Sequence, residues 1–153
     1  KINAISFLLK NKKKFDLILI KQTIHLLNFK EIKRLLYLSQ KNLSKNGKIL
    51  IFSLDPENNE IPVFNLMKFK LSKSLKRDKK IFKLITKLYP YKKSKFIYKV
   101  KIIKNRYLKM LENRYISTLL SMSNYQLQKG LNEIKYKYKN NIQFKDKLIC
   151  LIL

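Results

Sequence analysis

Two stretches decide the fold, Phe15-Asp16-Leu17-Ile18-Leu19-Ile20 and Lys48-Ile49-Leu50-Ile51-Phe52-Ser53. Each is a short apolar run without polar alternation, the pattern of a strand covered on both faces in a parallel sheet. Between them Asn28 stands three residues before Glu31, a capping-box spacing that opens a helix. Ile32, Leu35, Leu36, Ser39 and Leu43 then share one helical face, with Lys30, Lys33, Arg34 and Lys41 largely off it. Asn46-Gly47 reads as a left-handed helix stop. Strand, capped helix, glycine stop and strand make a βαβ unit, whose crossover is right-handed. Ligands of such sheets sit beyond the carboxyl ends of the strands, here residues 21–25 and 53–59.

Outward from that unit, Asp55 to Asn59 and Pro62 form a loop, in which Asp55 and Glu57 read as solubilising residues at the mouth of the site. Residues 64–88 carry helical spacing, which the charged run Lys76-Arg77-Asp78-Lys79-Lys80 divides in two, and Tyr89-Pro90 ends it. Residues 96–103 alternate, with Phe96, Tyr98, Val100 and Ile102 on one better-buried side of a strand. Helical spacing returns over 107–120. Ser123 and Gln126 supply a second capping box for a helix ending near Asn140-Asn141, and Ile142 to Leu153 form a terminal strand or hairpin arm. The expectation is one α/β domain over 1–153, with no internal repeat and no linker. Residues 60–95 and 104–122 are its helical insertions.

Composition limits the function. The 153 residues carry 36 Lys plus Arg against 9 Asp plus Glu, a net charge of +27, and 46% apolar residues, enough for a packed domain and too many for a disordered basic tail. Such a charge is drawn to polyphosphate. Yet only Arg34, Arg77, Arg106 and Arg114 supply the planar fork that phosphate and base-edge recognition favours. Lys, Asn, Ile, Phe and Tyr abound while Gly occurs twice, the profile of codon drift in an A+T-rich genome, so the charge is expected to be mainly surface drift. A lone cysteine, Cys150, forms no intrachain disulfide, cysteine zinc cage or redox pair, and reads as a buried strand residue. No metal cluster, leader or membrane span is visible in the pattern, and the expected setting is cytoplasmic.

The wording Phe15-Asp16-Leu-Ile-Leu-Ile, then Gln22-Thr-Ile-His25, the capped helix, and Asn46-Gly47-Lys-Ile-Leu-Ile-Phe52 resembles class I S-adenosylmethionine-dependent methyltransferases at their fourth strand, following helix and fifth strand. Asn113-Arg114-Tyr115-Ile116-Ser117, the helix bearing Glu133 and the last strand are similar to the end of small-molecule members. The resemblance implies the carboxyl-terminal half of a Rossmann-like methyltransferase sheet: a βαβ unit, helical insertions on the substrate side and terminal antiparallel strands. The family's Gly-rich cofactor loop and ribose-binding acid are not among these residues, since Gly47 and Gly130 cannot stand in for that loop. On this reading the 153 residues alone bind cofactor poorly and are inactive.

The resemblance also assigns residues. Asn3-Ala4 matches the loop that meets the adenine of S-adenosylmethionine, Lys21 and Gln22 match backbone lining its methionine part, and His25 stands near the transferred methyl group. Methyl transfer needs alignment and desolvation more than acid-base groups. A base is required only where the acceptor must lose a proton, and His25, with an ordinary pKa of about 6.5, suits that task. Tyr107, Arg114, Tyr115 and Ser117 are the candidate substrate-binding residues, Arg114 as the partner of an acidic acceptor. Asp16 is expected to orient backbone at the strand start. The expected acceptor is a small molecule; the alternatives are an RNA acceptor, or a basic nucleic-acid-binding module without catalysis. The sequence leaves oligomeric state open.

Overall fold

A computed structural model describes residues 3–153. In chain order the elements are α1 (Ala4–Lys10), β1 (Phe15–Lys21), α2 (Phe29–Lys41), β2 (Leu43–Leu54), α3 (Asn65–Leu88), β3 (Lys92–Ile103), α4 (Lys104–Glu112), α5 (Asn124–Lys137) and β4 (Asn141–Ile152). Two 3-10 turns, Ile24–Leu26 and Ser117–Leu119, interrupt the loops. The sheet is mixed, in the order β1-β2-β4-β3. β1 and β2 run parallel, and β4 pairs antiparallel with β2, matching Phe52 with Cys150 and Leu50 with Ile152. The α/β class and the βαβ unit are therefore as the sequence indicates, and the last strand is antiparallel to β2.

The chain divides into two compact units, residues 1–54, 78–96 and 148–153 in the first and 55–77 and 97–147 in the second. It passes from one to the other four times, once where β2 ends at Leu54 and then inside α3, β3 and β4. The first unit has a core of Ile20, Ile32, Leu36, Ile49, Ile51 and Ile85. The second packs Phe64, Met67, Tyr107, Leu111, Leu131 and Ile134. Among the described residues no helix is long and apolar enough to cross a membrane.

Both capping boxes form. The Glu31 amide donates to Asn28 Oδ1 at 2.9 Å while the Asn28 amide donates to Glu31 Oε2 at 2.8 Å; Ser123 and Gln126 make the same reciprocal pair. The helix stop is elsewhere than at Gly47. α2 ends at Lys41, and buried Asn42 does the capping. Its Nδ2 donates to Leu38 O at 2.9 Å and to Leu8 O at 3.1 Å, its Oδ1 accepts from Asn11 Nδ2 at 2.7 Å, and its carbonyl accepts from the Phe15 amide at 2.8 Å. The Asn42 side chain thus closes α2 and fastens the end of α1, while its backbone carbonyl starts β1. Gly47 lies inside β2, where the register jumps from Phe15↔Leu43 to Leu17↔Lys48. A Cβ there would stand 2.7 Å from Phe15 O, so the glycine serves a close backbone approach at a bulge. Gly130 of α5 serves packing in the same way, since a Cβ would meet the Phe64 ring at 2.4 Å.

Other expectations are corrected. β1 is not covered on both faces: Leu17 and Leu19, on one face, are each 55% exposed, while Ile20 on the other is buried. α3 is continuous through Lys76-Arg77-Asp78-Lys79-Lys80, a run of residues that helices accept readily apart from Asp78, and Asp78 is buried. β3 begins at Lys92, and Phe96 and Tyr98 are exposed, so the better-buried side is limited to Val100 and Ile102. The helix expected over 107–120 is α4, which starts at Lys104 and ends at Glu112; Arg114, at φ 52°, turns the chain out of it. α5 stops at Lys137, short of Asn140.

Asn42 sets the first prediction. Asn42→Ala leaves buried carbonyl and amide partners unsatisfied and is expected to lower unfolding free energy by about 1–3 kcal/mol; an unchanged denaturant midpoint would remove Asn42 from this role.

Candidate functional site

The site of interest lies in the first unit, along β1 and the loop that follows it. The chain leaves Lys21 through Gln22, whose φ of 52° is left-handed. That geometry costs a residue with a Cβ on the order of 1–2 kcal/mol. It aims the Gln22 amide at Phe52 O, 2.8 Å away, tying the loop back to β2. Thr23 leads into the turn Ile24–Leu26, where Ile24 is buried, His25 half-buried and Leu26 exposed. Beside this loop Asn3 caps α1, its Oδ1 accepting from the Ile5 amide at 2.8 Å.

α1, β1, α2 and the loop border an open cavity of about 470 Å³. Phe7, Leu17, Leu19 and Leu26 give it an apolar lining, and Asn3, Thr23 and Ser39 are its polar positions. Ser39 is fully buried, and its Oγ has no hydrogen-bond partner among the described residues. A buried hydroxyl left so costs about 1–3 kcal/mol, and at 0% exposure it is out of reach of a molecule in the cavity; Asn3 and Thr23 are the exposed polar groups such a molecule would meet. The cavity therefore suits a largely apolar, flat group that also carries hydrogen-bonding atoms.

Of the residues assigned from the sequence, Asn3 and Ala4 line this cavity. Lys21 and Gln22 do not, although their neighbours Ile20 and Thr23 do, and His25 is also outside the lining. Sequence reasoning passed over Leu26 and Ser39. Ser39 carried a signal, a hydroxyl set in the apolar stripe Ile32, Leu35, Leu36. Leu26 carried none. Among the described residues no three His, Cys, Asp or Glu side chains are grouped to hold a metal ion.

The four candidate substrate residues lie in the second unit, and two of them are committed to the fold. Tyr107 is 1% exposed, and its hydroxyl donates to Pro62 O at 2.6 Å. Its ring meets Tyr115 edge-on at 6.4 Å. Arg114 donates to Leu119 O, to Met122 O at 2.7 Å and, through its other terminal nitrogen, to Asn124 Oδ1 at 2.9 Å. Its fork is spent on the turn that precedes α5, which replaces the expected contact with an acidic acceptor. Ser117 opens the 3-10 turn, and Tyr115 remains 45% exposed.

The acidic residues flanking the two loops also have local work. Asp55 is buried, not a solubilising loop residue: Oδ1 accepts from the Glu57 amide at 2.9 Å and Oδ2 from Asn58 Nδ2 at 3.3 Å. Asp16 accepts from Ser44 Oγ at 2.5 Å. Cys150 is buried in β4, as expected, and burial pushes its thiol up.

Burial pushes the phenol of Tyr107 far above its ordinary value, with Tyr115 adding to the effect, and burial also raises Tyr115. A raised folded pKa gives stability that is complete below the unfolded value of about 10 and is lost as pH climbs beyond it. Stability should thus fall above about pH 10, and Tyr107→Phe should flatten that fall in an alkaline denaturation series. An equally steep fall in the variant would contradict the assignment. No protein-family model matches the chain, and no curated protein sequence matches it.

Proposed function

We propose that the chain carries the adenosyl-binding side of an S-adenosylmethionine-dependent methyltransferase acting on a small-molecule acceptor. The observation that carries this reading is the cavity along β1, which at one end is shared by Asn3-Ala4 and by Thr23 and Leu26 of the loop after the strand, the side on which parallel sheets bind ligands. The parallel β1-α2-β2 unit and the antiparallel β4 beside β2 are compatible with the sheet half that the resemblance implies. The left-handed Gln22 supports it further, since such strained positions cluster at ligand sites.

The residues present fit the adenosyl group. Leu17, Leu19 and Leu26 offer apolar contact for the flat faces of a purine, while Asn3 and Thr23 offer hydrogen bonds at its edge. Bound S-adenosylmethionine would supply a methyl group on a sulfonium, so the protein need contribute only alignment and exclusion of water. Lys21 and Gln22 flank the cavity and are the backbone positions for the methionine part. His25, half-buried one residue beyond Ile24, is the group to take a proton from an acceptor that must lose one.

Calorimetric titration with S-adenosylhomocysteine tests this reading. With half of the family's ligand-binding loops outside these residues, the expected dissociation constant is weak, about 1 mM or 4 kcal/mol. Ala4→Phe, which fills the cavity, should abolish the heat, while Lys109→Gln in the second unit should leave it unchanged. Absence of heat from the parent chain, or equal heat from Ala4→Phe, would overturn the proposal.

A further inference from the structure

The outward face of α5 carries a second binding chemistry. Leu127, Gly130, Leu131 and Ile134 are the buried side of this helix. On the opposite side Tyr125, Lys129, Asn132 and Tyr136 fall within an arc of about 60° at 3.6 residues per turn. Tyr125 is 78% exposed and Tyr136 is 91% exposed. A single exposed tyrosine is ordinary. Two on one face, bracketing a lysine and an amide side chain, form a row of chemically matched groups.

The charge around the row has one sign. Lys129, Lys135 and Lys137 are exposed, and Lys137 Nζ stands 5.5 Å from the centre of the Tyr138 ring. Glu133 is the only acidic residue in α5, and its Oε2 accepts from the Asn65 amide at 2.9 Å, away from the row. The face thus presents aromatic planes and cations together.

We propose that this face binds single-stranded nucleic acid, with one base stacked on Tyr125, another on Tyr136, and the intervening phosphates on Lys129 and the flanking lysines. Eleven residues of helix separate the rings by about 16 Å, room for about five stacked nucleotides at ~3.4 Å each, so each ring takes its own base. Stacking on exposed aromatics beside a cationic track is the chemistry that single-strand binders use. An acidic polypeptide would satisfy the lysines but has no use for two bare ring faces. The inference stands on the second unit alone and does not rest on the methyl-transfer reading.

With a net charge of +27 every polyanion is attracted to the chain, so the test must isolate the rings. Fluorescence anisotropy with a labelled oligouridylate at about 0.15 M salt would compare the parent, the pair Tyr125→Ala with Tyr136→Ala, and the pair Tyr125→Phe with Tyr136→Phe. The alanine pair should lose about tenfold in affinity per ring, and the phenylalanine pair should bind like the parent. Lys129→Gln should make the affinity less dependent on salt. Polyglutamate, competing through charge alone, should bind all variants equally. An alanine pair within about twofold of the parent would reduce the attraction to charge and overturn the proposal. Loss of polyglutamate binding in step with the oligonucleotide would overturn it too, by assigning the face to an acidic polypeptide.

Discussion

Asn42 is the point on which the first unit turns. Its amide group ends α2 on Leu38 O and holds Leu8 O of α1, and its carbonyl takes the first amide of β1. Each bond is modest by itself, but the groups are buried, and a buried polar group without a partner costs more than a bond contributes. The constraint makes α1, α2 and β1 one object. The open cavity is bordered by these three elements, so the position of Asn3-Ala4 relative to the loop after β1 depends on an asparagine at the opposite end of both helices.

The first unit also shows an apolar strand left uncovered on one face. Phe15 to Ile20 has the composition of a strand buried on both sides, yet Leu17 and Leu19 stand 55% exposed. Their exposure is what gives the cavity its apolar lining. Exposed leucine side by side on a strand is costly in water at about 25 cal/mol per Å² of apolar surface, which makes this lining a natural place for a ligand with apolar faces. Asn3 and Thr23 add exposed polar groups at its rim, which suit a ligand that also carries hydrogen-bonding atoms.

Much of the fold was legible because it is encoded locally. Asn28 with Glu31 and Ser123 with Gln126 form capping boxes from side chains three residues apart, and the runs 15–20 and 48–53 declare strands by composition alone. What failed was decided by distant partners. Gly47 looks like a helix stop until Phe15 O is seen 2.7 Å from where its Cβ would be. Nothing within Asn113-Arg114-Tyr115 indicates that the guanidinium closes on Leu119 O and Met122 O. Of the candidate site, Asn3 and Ala4 were legible through a resemblance, whereas Leu26 and Ser39 needed the folded chain to bring helix, strand and loop around one space. On α5 a 3.6-residue period places Tyr125, Lys129 and Tyr136 on one face, a grouping that composition alone does not display.

The central claim is that the cavity beside β1 accepts an adenosyl group. A crystal structure of the chain grown with saturating S-adenosylhomocysteine tests it most directly. The account predicts density for the purine against Asn3 and Ala4, with a polar atom within hydrogen-bond distance of Thr23. An empty cavity at saturating ligand, or ligand ordered only elsewhere on the chain, would contradict it.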